Sequence, residues 1–261
     1  MNLAISNIAW SKEDDKIVQP FLQKNGFSGM EIAPTRVFQE DPYNYLDKAI
    51  LFAQKLKEDY NLSIVSIQSI WYGKTENIFN STQEREILYS YTKKAIDFAV
   101  SMGCDNIVFG CPKNRIIIDK NQYEVAIDFF SRLSEYAHAN DVIIAIEANP
   151  EIYNTNFLTT TSEVLNFVRD VNMPGLAVNY DLGTVIYNKE RLITAKDMKY
   201  VNHIHISEPF LNKISIREIH KKLRLLINDS NYKKYVSIEM KNLNDTDVVK
   251  KCVIDTFNLF K

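Results

Sequence analysis

One unit recurs along the 261-residue chain and sets what it can fold into: a short apolar, β-branched run, a few polar residues, then a longer amphipathic stretch. The runs are Leu3 to Ala9, Gly29 to Ala33, Leu62 to Gln68, Asn106 to Gly110, Val142 to Glu147, Leu176 to Tyr180, Val201 to Ile206 and Tyr235 to Met240. Between them, stretches such as Tyr43 to Tyr60, Glu84 to Met102 and Tyr123 to Ala139 carry apolar residues at spacings of three and four, which predicts helices. Strand starts recur about every 33 residues, the span of a parallel β/α unit with its crossover helix. Eight such units in a chain of this length predict an α/β fold, the (β/α)8 TIM barrel. The alternative, a doubly wound open sheet, ordinarily carries a Gly-rich phosphate loop after its first strand, and Ala9-Trp10-Ser11-Lys12 stands there instead. No Gly/Ser-rich, Pro-rich or low-complexity segment intervenes, so residues 1–261 read as one domain.

Composition narrows the function. Lys and Arg total 31 against 33 Asp and Glu, a net charge of −2, which leaves no basic field for a nucleic acid. The longest aliphatic runs, such as Val142 to Ile146, fall far short of the roughly 20 residues of a membrane helix. The start, Met1-Asn2-Leu3-Ala4, lacks the pattern of a signal peptide, and three cysteines (Cys104, Cys111, Cys252) suit a reducing compartment. The expectation is a cytoplasmic protein with no membrane and no nucleic-acid partner.

A barrel places its chemistry at the carboxyl ends of its strands. The fifth strand is apolar until Glu147, the sixth until Asp181, the seventh carries His203 and His205 on one face, and the eighth closes with Glu239. Taken singly, such a carboxylate caps a helix or joins a salt bridge, and such histidines are hydrogen-bonded core residues. Four successive strands delivering Glu, Asp, His and Glu to one rim instead suggest a divalent-cation site. Its oxygen-rich donors suit Mn²⁺, Co²⁺ or Mg²⁺, with Zn²⁺ also accommodated.

Glu147, Asp181, His205 and Glu239, in the strings IEAN, NYDLGT, HIHISE and SIEMK, resemble the metal-binding set of the xylose isomerase-like superfamily. The likeness is greatest to its sugar isomerase and epimerase branch, the group that includes D-tagatose 3-epimerase and hydroxypyruvate isomerase. The resemblance implies a TIM barrel, one divalent cation on these four residues, and Glu147 and Glu239 doubling as the acid/base pair. It implies a small carbohydrate as substrate and a homodimer or homotetramer. Proton removal beside a carbonyl needs a base on one face and stabilisation of the oxygens that become negative, which this set supplies. Return of the proton to the opposite face epimerises the carbon, and return to its neighbour isomerises the sugar.

The substrate-contacting pattern departs from that branch: Thr184 stands where a His is usual, Asn154 where a second Glu is usual, and Leu211 where an Arg is usual. Other rim residues are therefore the candidates for substrate contact. Lys113 and Arg115, around the turn at Pro112, are expected to clamp a phosphate or carboxylate, with Arg36 on the same rim. Trp10 and Trp71, with Tyr72, are expected to wall the site. Gln68, Asn149 and Lys241, at strand ends, complete the set. The substrate expected is a phosphorylated or acidic hydroxy-carbonyl carbohydrate. His203 is expected to support the site by hydrogen bonding and Glu208 to orient His205. Cys111 has no histidine partner and reads as an unreactive thiol.

Three other readings share these residues. A sugar or inositol dehydratase starts with the same proton abstraction and then expels a hydroxyl group. A non-catalytic barrel would bind sugars without exchanging a carbon-bound proton. An endonuclease IV-like phosphodiesterase needs more histidines than the four present, of which His138 and His220 fall in helical segments.

Overall fold

The apolar runs become strands because parallel strands in this architecture are covered on both faces. The computed structural model describes residues 1–261, the side chain of Lys120 excepted. Its strands are β1 (Asn2–Ser6), β2 (Gly29–Ile32), β3 (Ser63–Ile67), β4 (Asn106–Phe109), β5 (Ile143–Glu147), β6 (Leu176–Asp181), β7 (Val201–Ser207) and β8 (Tyr235–Glu239). They pair in chain order, all parallel, and β1 pairs with β8 to close the barrel. Ile5, Ile32, Ile107, Ile146, Ile204 and Ile238 are fully buried, as a sheet covered on both faces requires.

The surrounding helices are α1 (Asp15–Lys24), α2 (Pro34–Val37), α3 (Leu46–Tyr60), α4 (Thr82–Ser101), α5 (Tyr123–Ala139), α6 (Thr161–Val171), α7 (Leu182–Asn188), α8 (Glu218–Asp229) and α9 (Thr246–Phe260). Capping side chains fix several starts. Ser81 Oγ accepts the Glu84 N–H ahead of α4, and Thr160 and Glu163 form a reciprocal capping box on α6. Most boundaries fall within two residues of the sequence expectation, and two shift by three. β1 stops at Ser6 rather than Ala9 because Asn7–Ala9 turn into a 3-10 segment, where Asn7 Oδ1 accepts the Ala33 N–H at 2.9 Å. The helix expected from Tyr43 begins at Leu46, after a 3-10 turn over Pro42–Asn44.

Candidate metal centre

Pairing register carries the four expected groups to one point. Glu147 lies opposite Asn179 on β6, Asp181 opposite His205 on β7, and Ser207 opposite Glu239 on β8. A register shift between Val178 and Asn179 passes over Asn202, so that His203 and His205 face Asn179 and Asp181. One ligand atom from each of Glu147, Asp181, His205 and Glu239 then lies within 4.8 Å of the others, and all four residues are buried.

His205 is central. Its Nδ1 lies 2.8 Å from Glu147 Oε1 and 3.3 Å from Glu239 Oε2, and its Nε2 lies 3.0 Å from Glu31 Oε2. Asn179 Nδ2 donates to Glu147 Oε1 at 2.6 Å, and Asn149 Nδ2 to Glu147 Oε2 at 2.9 Å. Asp181 caps α7, accepting the Thr184 N–H at 2.7 Å, and also accepts the Ser207 hydroxyl.

Burial above all, with Glu147 alongside, pushes Asp181 up to about 6 and Glu239 up to about 7. Burial disfavours a charged His205, yet Glu31 and Glu239 beside it raise its imidazole well above the ordinary value. The site therefore calls for positive charge where Nδ1 meets the carboxylates. A proton on Nδ1 supplies it in the metal-free chain. Three carboxylates and one imidazole nitrogen so placed equally fit a divalent ion with hard oxygen and borderline nitrogen donors.

Glu31, on β2, was not among the expected site residues. It is fully buried and accepts Gln68 Nε2 at 3.0 Å. Burial opposes its charge, but His205 and the hydrogen bonds of both histidines hold it well below the usual carboxylate range. By receiving Nε2–H it leaves Nδ1 for a cation, so the orienting role expected of Glu208 falls to Glu31. Glu208 instead pairs with Arg217. His203 stands where a supporting residue should, with Nε2 3.3 Å from Glu31 Oε2 and its ring edge-on to His205, and burial lowers its imidazole below the ordinary value. The sequence signal for Glu31 was a lone charge between the apolar Met30 and Ile32.

Above the four residues opens a cavity of about 180 Å³, lined by Gln68, Ser69, Val108, Gly110, Cys111, Pro112, Glu147, Asn149, Tyr153, Asp181, Ser207, Glu208, Leu211 and Glu239. Gln68 and Asn149 reach it as expected. Among the described residues, no Lys or Arg lines it, which corrects the anion clamp. Arg115 is fully buried behind Asn149, because its guanidinium finds acceptors inward, and Lys113 and Lys241 are exposed to solvent away from the lining. Arg36 is committed to Asp15 at 2.7 Å, and Trp10 Nε1 donates to the same carboxylate at 2.7 Å, so both line a neighbouring groove. Trp71 turns outward from the barrel, packing edge-on against Phe109 and donating to Thr92 Oγ1 on α4 at 2.8 Å. It serves the core between barrel and helices. Thr184 turns its hydroxyl to the Ala148 carbonyl, and Leu211 presents an apolar wall. Burial pushes the Cys111 thiol up to about 12, in line with an unreactive cysteine.

The sequence model of the family described as the xylose isomerase-like TIM barrel matches residues 20–252. The chain belongs to this family. A search of curated proteins gave no match. Among solved structures, the xylose isomerase-like barrel is similar to D-psicose 3-epimerase with D-tagatose from Clostridium cellulolyticum H10, at 14% identity and a TM-score of 0.77, covering 100% of this chain and 98% of that one. It is similar to 3-keto-D-glucoside 4-epimerase from E. coli, at 14% identity and a TM-score of 0.76, covering 99% of both chains. A probable 3-DHS dehydratase from Bacillus anthracis aligns at 14% identity and a TM-score of 0.69, over 99% of this chain and 98% of that one. At such identities the likeness establishes the fold.

Proposed function

We propose that this protein is a divalent-metal-dependent sugar isomerase or epimerase that moves a proton beside the carbonyl of a small, neutral hydroxy-carbonyl carbohydrate. The observation that carries the reading is the convergence of Glu147, Asp181 and Glu239 on the lining of the cavity, with His205 fully buried against them. A cation held by these four residues would polarise the substrate carbonyl and stabilise the oxygen that becomes negative. Glu147, with both carboxylate oxygens held by the Asn149 and Asn179 amides, is the fixed base. Glu239, the second carboxylate of the cluster that lines the cavity, would take up the other half of the transfer and return a proton to carbon. The amide and hydroxyl groups of Gln68, Ser69 and Tyr153 suit sugar hydroxyls, and the cation-free lining favours a neutral substrate over the phosphorylated or acidic one expected from the sequence.

The test incubates Mn²⁺-loaded protein with a panel of neutral aldoses and ketoses in deuterated water, reading deuterium at carbon, product stereochemistry and loss of water. Deuterium incorporation that falls at least roughly 10²- to 10⁴-fold in both Glu147→Gln and Glu239→Gln is expected. Near-normal exchange in both variants would contradict the assignment, and water loss in place of exchange would make the protein a dehydratase.

A further inference from the structure

We infer that the loop after β4 sets the position of the Glu147 carboxylate, with Arg115 as a positioning residue that acts through Asn149. The inference rests on the metal-site reading above and adds Arg115, which lies outside the cavity lining. Arg115 Nη2 donates to the Glu147 backbone carbonyl at 2.8 Å and to Asn149 Oδ1 at 2.8 Å. A guanidinium has only donors, so it can meet only the oxygen end of the Asn149 amide, which leaves the other end, Nδ2, to donate to Glu147 Oε2 at 2.9 Å. The arginine thus fixes which way the amide points.

The same loop acts from a second side. A Cβ on Gly110 would lie 2.9 Å from Glu147 Oε2 and 3.3 Å from Asn149 Oδ1, so the carboxylate occupies the space that any side chain there would need. The arrangement is expensive as packing alone, because Arg115 is fully buried with Nε and Nη1 unpartnered among the described residues. An apolar side chain would fill that volume without the cost. What an apolar side chain cannot do is orient Asn149.

The experiment compares wild type, Arg115→Met, Asn149→Ala and the double variant. It measures Mn²⁺ dissociation constants, the visible spectrum of the Co²⁺-loaded protein, and thermal melts of the metal-free protein. Each single change is expected to weaken Mn²⁺ binding roughly 10- to 100-fold and to alter the Co²⁺ spectrum. The double variant is expected to bind no more weakly than the weaker single, because both changes cut one path. Arg115→Lys, which keeps a donor, is expected to recover part of the loss. Should Arg115→Met fail to fold, Gly110→Ala carries the test, with the same loss of affinity and the same spectral change expected. Variants that melt earlier yet bind Mn²⁺ with the wild-type constant and spectrum would overturn the inference, as would additive losses in the double variant. A wild type that binds no Mn²⁺ overturns the metal-site reading itself and this inference with it, an outcome distinct from normal binding in wild type and variants alike.

Discussion

His205 stands between two sets of carboxylates, and its two nitrogens divide the work. Nε2 faces Glu31, while Nδ1 faces Glu147 and Glu239. In the metal-free protein Asp181 holds its proton up to about 6, Glu239 up to about 7, and His205 is raised well above its ordinary value. All three must lose protons before a cation takes their lone pairs, so fewer protons are bound in the metal form and affinity rises with pH. The increase in melting temperature on adding Mn²⁺ is therefore expected to grow from pH 5 to pH 8. A shift independent of pH over that range would contradict the protonation states assigned here. Glu147, Asp181 and Glu239 were legible in the sequence because each ends an apolar strand. Glu31 was not, because nothing local says that a charge between Met30 and Ile32 points at a histidine 174 positions away. Arg115 was recognised as a rim cation but misread in direction. A loop side chain points where its acceptors are, and here they are the Glu147 carbonyl and Asn149.

The strands were the most legible elements, since parallel strands buried on both faces leave near-continuous apolar runs. Their ends were less so. β1 stops early because Asn7 turns to serve Ala33, and the register shift at Asn202 that brings His205 beside Asp181 leaves no trace in the apolar pattern. Trp71 shows the same limit in the segment after β3. Strand spacing placed it at the rim, but its indole packs against Phe109 and Phe129 and donates to α4, which makes it part of the layer between barrel and helices. Trp71→Ala is accordingly expected to cost about 3 to 5 kcal/mol of folding stability. Denaturant unfolding and Mn²⁺ titration of the same sample check this, with affinity expected to stay at the wild-type value in the folded variant. Lost affinity with unchanged stability would return Trp71 to the site.

At the scale of the molecule, eight parallel strands close into one barrel, and residues at or just past the carboxyl ends of six of them, β3 to β8, line a single cavity. Among the described residues no helix is long and apolar enough to cross a membrane. The family match spans residues 20–252, and the solved structures share the fold at identities near 15%, so backbone architecture persists where side chains diverge. On the cavity wall Leu211 is apolar, and the Thr184 hydroxyl is spent on the Ala148 carbonyl. The central claim is that Glu147, Asp181, His205 and Glu239 hold one divalent cation. Its most direct test is the metal content of the purified protein by mass spectrometry after manganese loading and desalting, beside His205→Ala. About one equivalent in the wild type, lost in the variant, is the predicted result. No bound metal in either protein, or equal amounts in both, would contradict it.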